Sequence, residues 1–469
     1  MPITFSRWAE VDTGILLGQS AFDPILDVDT RLFLDPHLLS KTQVAEFTRS
    51  YERLQARFTD IARLLLASDS KGDALWRAAE RLMIWPEVKG LCIGYTSKGT
   101  DGRGMGPVLR GRLLDTATTI LRKGIIDPVI FELVGLLEND IGPDLIGDMA
   151  ANIIRDDLIR YSHRVLKQLP TDKLEKLQTD TITNLPLNPY NSNPVILVPR
   201  ELLRDLPMAF DWTQRDYISI ENEQIRAQVN EMVGETWKQA TSVSKSDLKE
   251  AAFEYTELLD DLVLKYKSRG AERYDFEEDR AGQYIWAEAS QKYTTQYPLS
   301  LAISPHPTVD DVEKMVMAIC DQFKKLVEDN GLSKLFYDRN KRVKHEEAMQ
   351  LLFYGIAESY CVFNKIMIAR ESDAGRGPVD FKFGTNMQNS VLVEVKKSTN
   401  TSGMKKGITK QLPVYMNAEG ARRAIYLVID VGYSRAATKN LREIGAAIKG
   451  TAIKISHVDG SLKKSGSKA

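Results

Sequence analysis

The chain has 469 residues, a formal net charge of −1 and 27% charged residues, values typical of a soluble globular protein with more than one domain. No apolar run approaches the roughly 18 residues that a membrane-spanning helix needs, and the first residues lack the order of a secretory signal. The three cysteines are far apart and the five histidines show no ligand spacing, so neither a disulfide framework nor a zinc site is predicted. We therefore expect a cytoplasmic protein with no membrane association.

Charge is distributed unevenly along the chain. From Lys341 to the C-terminus there are 22 Lys and Arg against 11 Asp and Glu, whereas residues 1–340 hold 41 basic and 53 acidic residues. A basic block joined to an acidic region suggests that the C-terminal part binds a polyanion. The alternative is that the two parts attract each other.

The first 170 residues show mostly helical patterns. One helix is predicted within residues 40–68, with Ser40 as its N-cap, and another within residues 142–169, with Pro143 in its first turn. Residues 32–39 are predicted to form a turn. The glycine-rich residues 94–107 lack the Gly-Lys-Ser/Thr ending of a phosphate-binding loop, which argues against nucleotide binding there.

An acidic cluster lies at the start of the second of these helices. It contains Glu138, Asp140, Asp144 and Asp148, and the last two are one helical turn apart. Carboxylates are favoured at a helix N-terminus, which explains the cluster by itself. A cation shared by Asp144 and Asp148 is the alternative interpretation.

Breaks in composition divide the rest of the chain. The Pro- and Asn-rich residues 183–194 predict a boundary or a long loop, followed by a short strand at 195–199 and by helices within 221–270. Thr308 is predicted to cap a helix over 309–329. The expected domains are a mostly helical one at 1–182, a mixed, mostly helical region at 183–340, an α/β domain at 341–458 and a disordered basic tail at 459–469.

Helices and strongly apolar strands are interleaved after residue 341. The pattern predicts, in order, helix 344–364, strands 378–384 and 390–397, helix 406–420, strand 423–432, helix 437–448 and strand 451–458. Strands this apolar are typical of a central sheet that helices cover on both faces.

Charged residues interrupt two of these core strands. Val391, Val393 and Val395 alternate as a half-buried strand does, while Glu394 and Lys396 share the opposite face. Asp380 lies in the preceding strand. Two carboxylates and a backbone carbonyl make an oxygen-rich site of the kind that Mg²⁺ prefers, and an adjacent lysine can orient water or offset phosphate charge.

The spacing of these residues resembles the Asp…Glu-x-Lys signature of the PD-(D/E)XK nuclease superfamily. Gln411 and Tyr415 resemble the Gln-x-x-x-Tyr motif of its RecB-like branch. The resemblance covers about residues 341–455, and it departs from the literal Pro-Asp pair because Val379 precedes Asp380. It implies a restriction-endonuclease-like domain with an αβββαβ core and a mixed sheet, joined to a large, mostly α-helical N-terminal region.

The resemblance also implies roles for individual residues. Asp380 and Glu394 are expected to bind Mg²⁺ or Mn²⁺, Lys396 to position the attacking water, and Gln411 and Tyr415 to contact the nucleic-acid backbone or brace the site. A glutamate of the first helix is expected to complete the metal site. Three are available there, and Glu346 is favoured because its helical face also carries Met349, Gln350 and Phe353; the other two are Glu347 and Glu358.

Basic residues around these motifs predict a nucleic-acid surface. They are Arg376 before the first charged strand, and Lys397, Lys405, Lys406 and Lys410 after the second. A solvated surface loop is the alternative for the lysine-rich segment.

Together these features predict a metal-dependent nuclease acting on DNA, with RNA not excluded. By analogy alone, a bacterial restriction or anti-phage setting is expected, in which the acidic N-terminal region senses a trigger or binds a protein partner. Homo-oligomerisation is left open. The alternatives are a non-catalytic nucleic-acid-binding or scaffolding subunit with a degenerate nuclease fold, and a protein–protein regulator acting through the acidic region.

Overall fold

The computed structural model describes most of the chain. The described residues are 3–94, 105–138, 141–205, 245–254, 256–268, 272–279, 282–301, 307–363, 367–373, 378–384, 389–399, 401–432, 443–445, 448 and 450–462. The chain divides into two compact units, an N-terminal unit, Ile3–Tyr274, and a C-terminal unit that begins at Asp275. This division falls inside the region 183–340 that the sequence assigns to a separate middle part.

The N-terminal unit is mostly helical, as predicted. Its helices are α1 (Phe5–Trp8), α2 (Thr13–Gly18), α3 (Pro36–Leu39), α4 (Ser50–Ala67), α5 (Ala74–Leu82), α6 (Pro107–Arg122), α7 (Ile130–Leu137), α8 (Pro143–Ile153), α9 (Arg155–Leu166), α10 (Thr171–Leu174), α11 (Lys245–Glu254) and α12 (Thr256–Ser268). A small antiparallel sheet pairs β1 (Leu32–Leu34) with β2 (Leu203–Asp205). Helix α4 buries Leu54, Phe58, Ile61 and Leu65, which recur at the spacing of one helical face.

Two local predictions for this unit are wrong. Ser40 does not cap α4, which begins at Ser50; it follows α3 as the C-terminal cap. Residues 32–39 form a strand and a short helix rather than a turn, because the Asp35 carboxylate accepts a hydrogen bond from the His37 backbone N–H at 2.9 Å and starts α3. The strand itself depends on β2, which lies far along the chain.

The second predicted helix is divided in two. Pro143 occupies the first turn of α8 as predicted, but Ile154 leaves the helical conformation and separates α8 from α9. The Ile154 side chain is fully buried, so the break places an apolar residue in the core.

Residues 183–198 belong to the N-terminal unit and do not form a linker. Asn188 is buried, and its amide donates to the Leu26 carbonyl at 2.8 Å. The predicted strand at 195–199 pairs with no other strand in the described part of the chain. Isolated bridges lie at Pro194, just before it, and at Pro199, its last residue, and its apolar side chains are buried. The stretch is therefore a long packed loop.

One member of the acidic cluster, Asp148, has a raised pKa. Burial, followed by the negative charges of Asp144, Glu87 and Asp29, raises the pKa of Asp148 from 3.8 to about 7. Asp144 itself lies in the first turn of α8, where a carboxylate is favoured. A proton on Asp148 therefore stabilises the folded state, and this stabilisation grows as pH falls from about 7 to 3.8.

This shift predicts a pH-dependent stability. The folded-state pKa exceeds the unfolded one, so the stabilisation is complete below pH 3.8 and is lost as pH rises through about 7. Because Asp148 is partly exposed, we expect a contribution of about 2 kcal/mol, roughly half of the full linkage value. Asp148→Asn should be more stable than wild type at pH 8 and similar to it at pH 4 in urea denaturation monitored by circular dichroism. An equal difference at both pH values would contradict this assignment.

The C-terminal unit surrounds its sheet with helices. These are α13 (Ile285–Gln296), α14 (Val309–Glu328), α15 (Glu346–Phe363), α16 (Thr401–Lys406) and α17 (Leu412–Ala418), with a π-helical turn, Gly407–Gln411, between the last two. The predicted cap of α14 is confirmed: Thr308 and Asp311 form a reciprocal capping box.

Among the described residues, the central sheet contains five strands in the order β3–β4–β5–β6–β7. They are β3 (Met367–Asp373), β4 (Pro378–Gly384), β5 (Ser390–Lys397), β6 (Arg423–Asp430) and β7 (Ile453–Asp459). The pairs β3–β4 and β4–β5 are antiparallel, while β5–β6 and β6–β7 are parallel. The predicted bounds of the two charged strands, 378–384 and 390–397, are confirmed.

Helices cover both faces of the sheet, as predicted. On one face Phe353 of α15 contacts Phe381 and Phe383 of β4 and also Phe323 of α14. The other face carries Leu392, Tyr426 and Val428 and packs against the apolar residues of α16, the π-turn and α17. From α15 to β6 the order is therefore helix, three strands, helix, strand.

The remaining predictions for this part have mixed outcomes. The strand predicted at 451–458 extends to Asp459, where the disordered tail was expected to begin. Most of the helix predicted at 437–448, residues 463–469 of the tail and Arg376 lie outside the described residues. Within the described part of the chain, every helix is too short or too polar to cross a lipid bilayer.

Candidate functional site

The candidate site lies where strands β4 and β5 separate. Their antiparallel ladder runs from Gly384–Ser390 to Phe381–Val393 and ends there. Beyond this point the Asp380 carboxylate takes the place that a backbone carbonyl would have in the ladder. Its Oδ2 accepts a hydrogen bond from the Val395 backbone N–H at 2.7 Å. The side chain of Asp380 is thus held at the position where the two strands diverge.

Helix α15 supplies two further contacts to the site. The Gln350 amide donates to Asp380 Oδ1 at 3.1 Å. One turn earlier, the Glu346 carboxylate accepts from the Lys396 ammonium at 3.2 Å and from the Lys397 backbone N–H at 3.0 Å. The first turn of α15 therefore meets the charged end of β5.

Lys396 lies between two carboxylates. Its Nζ atom is 3.0 Å from Glu394 Oε1 and 3.2 Å from Glu346 Oε1, and its side chain is 12% exposed. Burial opposes the charged form of Lys396, but Glu346, Glu394 and Asp380 outweigh it and raise the pKa of the lysine well above its ordinary value. The ammonium is the form of Lys396 that this environment favours.

Lys396 does not fully compensate the negative charge of Asp380 and Glu394. Burial, followed by the charge of Glu394, raises the pKa of Asp380 well above its ordinary value. Glu394 is 3% exposed, and its Oε2 atom is buried without a hydrogen-bond partner. A buried carboxylate oxygen with no partner is costly unless a cation binds to it.

The donor set fits a hard divalent cation. Glu394 Oε2 is free to coordinate, and Asp380 is the second buried carboxylate at the same point of the sheet. Oxygen ligands of this kind suit Mg²⁺ and Mn²⁺. Among the described residues, no three Asp, Glu, His or Cys side chains are grouped closely enough to hold a metal ion. A metal bound here would therefore depend on the two carboxylates of β4 and β5.

Glu346, which was predicted to complete the metal site, lies beside Lys396 at the charged end of β5. Both of its carboxylate oxygens accept hydrogen bonds, from Lys396 and from the Lys397 backbone. The adjacent Glu347 points elsewhere and accepts from the Gln283 amide. The role of Glu346 as a metal ligand stays a prediction, and its contacts in the structure are to nitrogen donors of Lys396 and Lys397.

Gln411 and Tyr415 lie on the helical layer over the same sheet. Tyr415 is buried and packs in the apolar cluster with Leu392 and Tyr426. Gln411 ends the π-helical turn that begins at Gly407. A side chain at Gly407 would lie 2.8 Å from the Tyr426 hydroxyl, so glycine allows the turn to approach the sheet. The burial of Tyr415 places its ring inside this layer, while nucleic-acid contact or bracing by Gln411 stays a prediction.

The predicted basic surface is only partly exposed. Lys405, Lys406 and Lys410 are exposed, and Lys405 forms an ion pair with Glu443 at 3.0 Å. Lys397 is half-buried and donates to the Lys344 carbonyl at 3.3 Å. Burial lowers the pKa of Lys397. Its side chain is therefore directed to the start of α15.

Two residues near the site were missed by the sequence analysis as functional residues. Gln350 bonds to Asp380, and Tyr426 lies beside Glu394 in the parallel ladder and donates its hydroxyl to the Met404 carbonyl at 2.7 Å. Gln350 could have been suspected because it lies one turn after Glu346. Tyr426 carries no sequence signal that separates it from other core residues of β6.

Comparison with known proteins finds two families of unknown function. Residues 16–211 match the family described as Domain of unknown function (DUF8370), and residues 312–433 match Domain of unknown function (DUF8371). The second match spans the site and the first lies within the N-terminal unit. No curated protein and no solved structure matches the chain.

Proposed function

We propose that the C-terminal domain is a metal-dependent nuclease that hydrolyses phosphodiester bonds in DNA. The observation that carries the proposal is the meeting of Asp380, Glu394 and Lys396 where β4 and β5 separate, with Glu394 Oε2 buried and without a partner. Apolar strands in the interior of a sheet have no structural need for two buried acids with one lysine. The helix–three strands–helix–strand order supports a restriction-endonuclease-like fold, which belongs to the same proposal.

Each residue of the site has a role in the proposed reaction. Asp380 and Glu394 would hold one Mg²⁺ or Mn²⁺ ion, which when bound would supply a Lewis acid for the phosphate and lower the pKa of water. The Lys396 ammonium lies next to these acids and stabilises negative charge on the phosphate as it develops. Glu346 keeps that ammonium in place. Gln411 and Tyr415 brace the helical layer over the sheet.

The reaction is a hydrolysis. A water oxygen attacks phosphorus in line, the bond from phosphorus to the 3′ oxygen breaks, and the 3′ oxygen takes up a proton. The products are a 5′ phosphate and a 3′ hydroxyl. The exposed Lys405, Lys406 and Lys410 provide positive charge for the backbone, so binding should weaken as the salt concentration rises.

The N-terminal region is proposed to act as the sensor or partner-binding part. Its acidic composition makes DNA a poor ligand for it and a protein partner the better one. A bacterial restriction or anti-phage setting is consistent with a nuclease joined to a large separate unit.

The proposal is tested with the full-length protein. Supercoiled plasmid, linear duplex and single-stranded DNA are incubated with Mg²⁺ or Mn²⁺, with EDTA in parallel, and products are examined for a 5′ phosphate by ligation and phosphatase treatment. Metal-dependent cleavage with 5′ phosphate ends is expected. If no substrate is cut under either metal while DNA is still bound, the non-catalytic binding function replaces the nuclease.

A further inference from the structure

Both carboxylate oxygens of Asp380 are hydrogen-bonded by neutral donors. Oδ2 accepts from the Val395 backbone and Oδ1 from the Gln350 amide. Both Asp380 and Gln350 are less than one-tenth exposed. The orientation of this carboxylate is therefore set by the protein on both sides, and water has little access to either bond.

Gln350 belongs to the same helix face as Glu346. The two residues are four apart on α15, so their side chains project in the same direction. One holds Asp380 and the other holds Lys396, at 3.1 and 3.2 Å. A single helical turn thus contacts both strands of the site.

The chemistry of an amide suits this position. A lysine or arginine at position 350 would donate a hydrogen bond to Asp380. It would also neutralise the charge of that carboxylate, so the affinity of Asp380 for a cation would fall. An amide N–H satisfies one oxygen and leaves the negative charge in place. Neutral hydrogen bonds to a metal-binding carboxylate fix its direction and are worth 10- to 100-fold in metal affinity, as a rough guide.

We propose that Gln350 is the positioning residue for Asp380 and that its amide sets the affinity of the site for a divalent cation. The proposal rests on the function proposed above. It assigns to α15 a role in metal binding that acts through Asp380, without direct contact between Gln350 and the metal.

The test measures Mn²⁺ binding by titration calorimetry in the full-length protein without DNA. Gln350→Met keeps the length of the side chain and removes the donor, and we expect its dissociation constant for Mn²⁺ to rise at least about tenfold. Gln350→Asn keeps the amide but is one methylene too short to reach, and it should show a similar loss. Cleavage by both variants should recover largely when Mn²⁺ is raised to saturation.

The matched control is Gln283→Met. Gln283 is also a buried amide of the C-terminal unit that donates to a carboxylate of α15, in this case Glu347. Its replacement disturbs packing to a similar extent without touching Asp380, so Mn²⁺ affinity should stay within about twofold of wild type. Thermal unfolding in EDTA shows whether each variant is folded at the temperature of the titration.

The outcomes separate this inference from the proposed function. Wild-type protein that does not bind Mn²⁺ overturns the nuclease proposal and the role of Gln350 with it. Wild-type protein that binds Mn²⁺, with both Gln350 variants binding equally well, overturns the role of Gln350 alone. An equal loss in Gln283→Met also overturns it, because the effect then belongs to the packing of α15.

Discussion

Replacing Lys396 by alanine should lower DNA cleavage by about 10³-fold and leave DNA affinity within a factor of about three. The ammonium is held by Glu394 and Glu346 at 3.0 and 3.2 Å, next to the acids proposed to hold the metal. Its loss removes the positive charge that stabilises the developing phosphate charge, while the exposed lysines of the binding surface remain. The measurement pairs single-turnover cleavage with fluorescence anisotropy on the same DNA.

Lys454→Ala is the matched control for Lys396. Lys454 is another ion-paired lysine of the same sheet, bonded to Glu313 at 2.9 Å on the edge strand β7. It lies outside the proposed site, so cleavage should stay within about threefold of wild type. Cleavage by Lys396→Ala at the wild-type rate, or an equal loss in both variants, would remove Lys396 from the mechanism.

Glu394→Gln should abolish stabilisation of the protein by Mn²⁺. A ligand present at about 100 times its dissociation constant stabilises the folded state by about 2.7 kcal/mol. Glutamine has the shape of glutamate but lacks its charge, and the buried Oε2 position loses its attraction for a cation. Thermal unfolding with and without Mn²⁺ should show an upward shift for wild type and none for Glu394→Gln.

Glu313→Gln provides the control for this experiment. Like Glu394, Glu313 is buried in the C-terminal unit with one oxygen, Oε1, lacking a hydrogen-bond partner and the other paired with a lysine, Lys454, but it lies on α14 and not on β5. Its replacement should leave the Mn²⁺ shift intact. If Mn²⁺ still raises the unfolding temperature of Glu394→Gln, the metal does not bind at Glu394 of β5.

The acidic cluster of the N-terminal unit and the site of the C-terminal unit use carboxylates differently. Around Asp148, burial and then the negative charges of neighbouring acids favour the protonated carboxyl and raise its pKa to about 7. Around Glu394 a lysine pairs with one carboxylate oxygen, and the other oxygen is buried without a hydrogen-bond partner.

The sequence by itself determined the features that depend on neighbouring residues. The bounds of β4 and β5, the capping box at Thr308 and the first-turn proline of α8 were all predictable, because side-chain alternation, capping and proline geometry act over a few residues. The same alternation predicted that Glu394 and Lys396 share a face of one strand, whereas the meeting of Asp380 with them was implied by the resemblance to the PD-(D/E)XK superfamily.

Only the tertiary structure decided which distant groups meet. Gln350 contacts Asp380 across 30 residues, and Glu346 contacts Lys396 across 50. The break at Ile154, the strand pairing of residues 32–34 and the start of α4 at Ser50 also depend on packing. Local propensity is weak compared with the free energy of burying apolar surface and pairing strands, so contacts between distant segments override it.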